Sequence, residues 1–285
     1  NLTGRWVTSP DSHLEFILTS ANSLDVIEIL APDKQDDFKS WLKDADPLSL
    51  TLTAPITALQ DDRKTASYHL DVGTTKSARQ LQADGTIIYD SANAGILINL
   101  QKTVIGIAGG KIDISPFSFS SDYAGTPPLS LRLAVTSVDM DKLAKIADVK
   151  GLKAKGRLSG TIPVTYSTNG IIFGSGNLKS EGAGSFAYAP DEFPPSLQGD
   201  DSRMETVRKT LSDFRFSKFN VDMSGSMDDK MKTSISAAGT NPAFGDREIH
   251  LNLNLDGDLG AVLKQTLQTV DFSDKLKSQI QKNKK

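Results

Sequence analysis

The chain has 285 residues, and its 32 lysines and arginines nearly balance its 35 aspartates and glutamates, which gives a formal net charge of -3. This balance argues against a nucleic-acid-binding protein, because such proteins usually carry a strong basic excess. The chain contains no cysteine, which excludes thiol nucleophiles, thiolate zinc sites and disulfides. No apolar run in the sequence approaches the ~20 residues of a membrane-spanning helix.

Short runs of alternating apolar and small polar residues dominate the chain. Alternation with period two places the apolar side chains on one face of a strand and the polar side chains on the other. At about 3.3 Å per residue, the longer runs span roughly 20 Å. In chain order, the predicted strands cover residues 48–52, 68–72, 111–114, 129–135, 214–216, 221–223, 233–237 and 249–255.

Glycines separate further short strands in residues 151–188. The pair Asn169-Gly170 is a hairpin turn signal, so the strands on either side of it are expected to be antiparallel. Two other glycine clusters, residues 108–110 and 174–176, are each followed by a strand, whereas a phosphate-binding loop must open a helix. We therefore interpret both clusters as turns or β-bulges.

A few short helices are predicted from apolar residues at helical spacing. Asp139, Asp201 and Asp258 stand at the start of three of them and are predicted N-caps, because a carboxylate accepts hydrogen bonds from the free N–H groups of a first helical turn. We expect such helices to cover an apolar face or an end of the sheet. The predicted helices cover residues 33–45, 139–147, 201–212 and 258–270.

The segment 120–128 is rich in serine, glycine and proline and is the best candidate for a boundary. The predicted organisation is a β-rich N-terminal segment, residues 1–125, and a C-terminal β segment with short helices, residues 126–285.

No set of residues predicts a catalytic, cofactor or metal site. The aspartate pair at residues 61–62 fits a solvated loop. Asp139 and Asp141, like Asp256 and Asp258, resemble the start of a calcium loop, but neither pair is followed by the remaining oxygen ligands. The three histidines lie far apart, and no Gly-x-Ser-x-Gly elbow is present. We therefore expect a protein that is not an enzyme and that uses no cofactor or metal.

The alternation by itself is compatible with two architectures. Two sheets could face each other in a sandwich and bury all the apolar side chains. Alternatively, one curved sheet could leave its apolar face partly open as a groove. The pattern alone favours the sandwich.

Several short motifs also occur in a distinctive order. They are Gly151-Leu152, Gly156-Arg157-Leu158-Ser159-Gly160, Ile162-Pro163-Val164, the residues Ile172, Gly174, Gly176, Leu178, Gly182 and Gly184, the run 211–216, Gly239-Thr240-Asn241-Pro242, and the run 249–255 followed by Leu263. Their order and spacing resemble the C-terminal region of the AsmA-like bridge proteins of Gram-negative bacteria, and most closely the YdbH branch. The resemblance covers roughly residue 129 to the C-terminus, whereas residues 1–125 match the family only in the general character of their sequence.

In that superfamily, a long twisted sheet forms an open channel lined by apolar side chains, which guides lipids between the inner and outer membranes. The resemblance implies a mainly β fold, in which a curved antiparallel sheet forms an open apolar groove with a few short capping helices. It implies a non-catalytic periplasmic segment, and the absence of cysteine fits that compartment. It further implies phospholipid as the cargo, a small outer-membrane lipoprotein as a possible partner, and an inner-membrane anchor in a part of the protein that precedes this chain.

The candidate groove residues are the apolar side chains of the two longest alternating runs. They are Leu129, Leu131, Leu133, Val135, Leu251, Leu253 and Leu255.

Two other functions remain open from the sequence. The chain could be a protein-interaction module that docks an outer-membrane lipoprotein by strand addition, because open sheets have unpaired edges. It could also be a carbohydrate-binding β-sandwich, although its 2 tryptophans and 5 tyrosines are few for a protein that stacks aromatic rings on sugars.

Overall fold

A computed structural model describes residues 2–7, 13–20, 47–55, 63–73, 79–91, 95–121, 123–146, 149–193, 198–199, 201–226, 231–245 and 247–257. The predicted helices at 33–45 and 258–270, and the aspartate pair at 61–62, lie outside these residues.

Strands make up most of the described chain. They are β1 (Leu2–Val7), β2 (His13–Ser20), β3 (Leu48–Pro55), β4 (Arg63–Val72), β5 (Arg79–Asp90), β6 (Gly95–Ile107), β7 (Gly110–Ile114), β8 (Phe117–Ser120), β9 (Leu129–Asp139), β10 (Leu152–Lys155), β11 (Arg157–Ser167), β12 (Gly170–Ser180), β13 (Gly184–Tyr188), β14 (Phe214–Ser226), β15 (Met231–Thr240) and β16 (Ile249–Gly257).

All sixteen strands belong to one open antiparallel sheet that does not close into a barrel. The mainly β prediction is therefore confirmed, and the described strands do not form the two sheets of a sandwich. Strands β7 and β8 pair one after the other with β6. Strand β10 pairs with β13, and β11 pairs with β12. Strands β13 and β12 then pair one after the other with β14. Strand β9 pairs with β7, so the sheet continues across residue 125; the division of the chain at that residue stays a prediction.

Short hairpins connect many neighbouring strands. Ala108 and Gly109 both have positive φ, 51° and 71°, which is the turn geometry that matches the twist of two antiparallel strands. Asn169-Gly170 joins β11 to β12, as its sequence predicts. The register between β12 and β14 shifts between Phe173 and Gly176, so the second glycine cluster is a β-bulge. The interpretation of both clusters as turn or bulge glycines is confirmed.

Two α-helices lie in the described chain, α1 (Met140–Ile146) and α2 (Ser202–Leu211). The backbone N–H of Lys142 donates to Asp139 Oδ1 at 3.0 Å, and the N–H of Met204 donates to Asp201 Oδ1 at 2.8 Å. Both N-cap predictions are therefore confirmed. In the described part of the chain, no helix is long and apolar enough to cross a membrane.

Candidate functional site: the apolar face of the sheet

One face of the sheet is apolar across nearly its whole width. Residues that stand opposite each other on neighbouring strands point to the same face, so the strand registers trace each face from strand to strand. One such line, which we call the apolar row, crosses twelve strands from β2 to β16 in successive register pairs. The row consists of Ser20, Leu48, Val72, Leu81, Ile105, Ile112, Val135, Gly160, Leu178, Val221, Ile235 and Leu253.

The opposite face is largely polar. The register line next to the apolar row alternates with it and faces the other way. Its members are Thr19, Ser49, Asp71, Gln82, Val104, Asp113, Ala134 and Thr161. The sheet is therefore two-sided, with an apolar face and a polar face, as alternation predicts for each strand separately.

The apolar face is partly exposed on strands β2 to β8. Phe16 is 44% exposed, and Leu50, Leu52 and Leu70 are half-buried. Val72 is among the few apolar side chains that are fully buried in this part of the sheet. This half of the face therefore presents hydrocarbon to its surroundings.

On strands β9 to β16 the same face is packed into a core. Phe214 is 0% exposed, and its ring lies 5.2 Å from that of Phe186. The ring of Phe216 lies 5.2 Å from that of Phe219. Helices α1 and α2 add Met140 and Leu211 to this cluster, and their residues Leu143, Ile146 and Val207 pack against it. As expected, these helices cover one end of the sheet, and they do so at the strand ends nearest Val138 and Leu158, which join the same cluster.

The predicted groove residues fall on the apolar face, but in different surroundings. Leu129, Leu131, Leu133 and Leu253 are half-buried, and all of them except Leu129 pack against the buried cluster. Val135 and Leu251 are 6% and 8% exposed and belong to that cluster. Leu255 on β16 pairs with Thr233 on β15. Whether these residues contact lipid stays a prediction.

The seven candidate residues do not include the most exposed part of the apolar face. Phe16 and Leu18 on β2, Leu50 on β3 and Leu70 on β4 share the face with the seven candidates. The runs 48–52 and 68–72 carry the same alternation as the chosen runs. This alternation could have identified these residues on β3 and β4. Alternation does not show, however, which part of a face is covered by the protein's own side chains.

The polar clusters among the described residues hold neighbouring strands together. The hydroxyls of Ser137 and Ser159 donate to Glu181 Oε1 at 2.6 and 2.5 Å. Both hydrogen bonds lower the pKa of Glu181, and the bond from Ser137 is the larger cause. Ser137 has φ 53° next to a register shift between β9 and β11, so the carboxylate holds a bulge in place. No group of three or more candidate metal ligands occurs among the described residues.

The polar face carries one more tightly bonded group. His69 lies between two carboxylates, with Nδ1 2.5 Å from Asp84 Oδ1 and Nε2 2.6 Å from Asp71 Oδ2. The hydrogen bond with Asp84 is the main cause that raises the pKa of His69. Because His69 and Asp84 stand opposite each other on β4 and β5, the group acts as a cross-strand clamp.

Together, the fold and the site define an open antiparallel sheet with one extended apolar face and a polar back. A model of the YdbH-like family, described as intermembrane phospholipid transport protein YdbH, matches residues 58–281. The chain belongs to the YdbH-like family, and this membership implies intermembrane phospholipid transport with phospholipid as the cargo. The match confirms the resemblance seen in the sequence and begins well before residue 129. No curated protein and no solved structure matches the chain.

Proposed function

We propose that this chain is a non-catalytic periplasmic segment that conducts phospholipids between the inner and outer membranes by holding their acyl chains against the apolar face. The observation that carries the proposal is the apolar row, which continues from β2 to β16 without a charged side chain. In the proposal, the full-length protein is anchored in the inner membrane by a part outside this chain.

The energetics of acyl chains in water require such a surface. Each methylene removed from water is worth about 0.8 kcal/mol. An acyl chain of roughly 15 methylenes therefore resists exposure by about 12 kcal/mol. Each ~1.4 kcal/mol of barrier slows a step about tenfold, so transfer of an unshielded lipid through water would be extremely slow. A face that shields the chains lowers this barrier and needs no reactive group.

The two halves of the face have different roles in this proposal. Strands β2 to β8 offer half-exposed apolar side chains that can contact acyl chains without moving the core. Leu129, Leu131 and Leu133 extend this surface onto β9, where Leu131 and Leu133 also pack against the core cluster. Val135 and Leu251 lie on the same face but stabilise the sheet, because they are buried in the core cluster.

The test compares two adjacent positions on β2 that face opposite ways. Phe16→Asp places a charge on the apolar face at an exposed position, and Ile17→Asp places the same charge on the polar face. We expect native mass spectrometry of gently purified protein to show phospholipid bound to the parent chain and to the Ile17 variant, and a marked loss for the Phe16 variant. Equal lipid retention in the two variants would contradict the proposal, provided that circular dichroism shows both to be folded.

Strand addition at β16 is a second candidate function. Among the described strands, β16 pairs with β15 alone, so its other edge can accept a strand. The partner we propose is the small outer-membrane lipoprotein that the family resemblance implies. Addition of that lipoprotein should slow amide hydrogen exchange in Ile249–Gly257, and unchanged exchange there would count against docking at this edge.

A further inference from the structure

The two ends of the strands differ on the apolar face. At one end, the face finishes in amphipathic side chains: Lys64 stands opposite Tyr89, and Tyr166 stands opposite Leu129. Tyr123 lies beside Tyr166, with ring centroids 6.0 Å apart. We call Lys64, Tyr89, Tyr123 and Tyr166 the tyrosine rim. Lys64 is exposed, and Tyr89 is 38% exposed.

At the other end of the strands, the same face carries buried apolar side chains. Val72, Ile107, Val138 and Leu158 are buried there. The backbone N–H of Met140, the first residue of α1, donates to Gly156 O at 3.1 Å, which holds the helix against this end. The apolar face therefore has one hydroxyl-bearing end and one end with buried apolar side chains. We call the second end the helix-covered side, because α1 lies over it at β9 and β10.

From this asymmetry we infer that bound phospholipids lie along the strands, with their headgroups at the tyrosine rim and their acyl chain ends toward the helix-covered side. The inference rests on the proposed function. Tyrosine and lysine suit a boundary between hydrocarbon and water, because each combines an apolar body with a polar tip. The Lys64 ammonium can pair with a phosphate, and the Tyr89 phenol can donate to a phosphate or ester oxygen. The Tyr123 phenol donates to the backbone oxygen of Pro127, so Tyr123 contributes its ring to the rim.

The length of the face fits a lipid in this orientation. Leu81 and Tyr89 lie eight residues apart on β5, which corresponds to about 26 Å along the strand. The hydrocarbon of one bilayer leaflet is about 15 Å thick, since the whole core measures about 30 Å. An extended lipid can therefore place its headgroup at the rim and keep its chains on the apolar face.

Two labelling positions on β6 test the orientation. Because the chain has no cysteine, Ile96→Cys at the tyrosine rim and Ile105→Cys at the helix-covered side can each carry one bimane fluorophore. Both isoleucines are half-buried on the apolar face, and the rim tyrosines stay intact. The probes are phosphatidylcholine with a nitroxide on the headgroup and phosphatidylcholine with a nitroxide near the chain end.

We expect the headgroup nitroxide to quench Ile96→Cys more strongly and the chain-end nitroxide to quench Ile105→Cys more strongly. The same order at both positions, or the reverse order, overturns the inference and leaves lipid binding intact. Absence of quenching at both positions overturns the proposed function as well.

A charge reversal gives an independent readout. Lys64→Glu should weaken binding of phosphatidylglycerol roughly two- to fivefold, as for loss of an exposed ion pair, while Lys102→Glu on the polar face should not. Equal effects of the two variants would overturn a role for the rim in headgroup binding.

Discussion

Val135 on β9 and Leu253 on β16 lie more than a hundred residues apart in the chain, yet they share one row on the same face of the sheet. The register connects them through Gly160, Leu178, Val221 and Ile235. The two alternating runs that supplied the candidate residues are therefore parts of one surface. The burial of Val135 shows that this surface is filled by the protein's own side chains at that point.

The core at the covered end should depend strongly on Phe214. This side chain is 0% exposed, so Phe214→Ala leaves a cavity and should lower the free energy of unfolding by about 3–5 kcal/mol. Urea denaturation provides the measurement. Phe16→Ala is the matched control, because Phe16 is 44% exposed and should cost about 1 kcal/mol or less. Similar losses for both variants would show that the apolar face is not divided into a packed and an open half.

Leu253 should act as a stabilising residue. Leu253→Asp places a carboxylate against the buried cluster and should destabilise the fold by at least about 2 kcal/mol. Asn254→Asp on the polar face should change stability by less than about 0.5 kcal/mol, since the residue is exposed. Thermal melts of the two variants provide the comparison, and a melt of the Leu253 variant that matches the parent would contradict this role.

Gly160 should not tolerate a side chain. It lies in the apolar row, where a Cβ atom would stand 2.0 Å from the backbone oxygen of Asn177. Gly160→Ala should therefore destabilise the β11–β12 pairing by about 1–3 kcal/mol. Gly95→Ala serves as the control, because a Cβ atom there meets nothing within 4 Å. Chemical denaturation should separate the two variants, and equal midpoints would refute the close approach of β11 and β12.

The His69 clamp should make stability weakly pH-dependent. The folded pKa is raised above the ordinary value of about 6.5, so the stabilising contribution is present below that value and is lost as pH rises through the folded pKa. Asp84→Asn removes the main cause and should bring the pKa of His69 down. NMR titration of the imidazole measures both pKa values. A parent pKa at or below that of the Asp84 variant would rule the clamp out.

The alternating pattern was sufficient to predict strands, their two-sided character and several of their turns. Leu129–Asp139 and Ile249–Gly257 form strands whose apolar residues face one way, because side chains in an extended backbone alternate regardless of what surrounds the strand. Asp139 and Asp201 cap helices as predicted, since capping depends on residues within one turn.

The sequence by itself determined which side chains share a face of each strand and, through its motifs, the family. The alternation alone favoured two facing sheets, and only the tertiary structure decided for the one open sheet that the family resemblance implied. It also decided that the face is packed around Phe214 and partly exposed around Phe16. The physical reason is that alternation is a local property of the backbone, whereas pairing partners and burial depend on contacts between residues far apart in the chain.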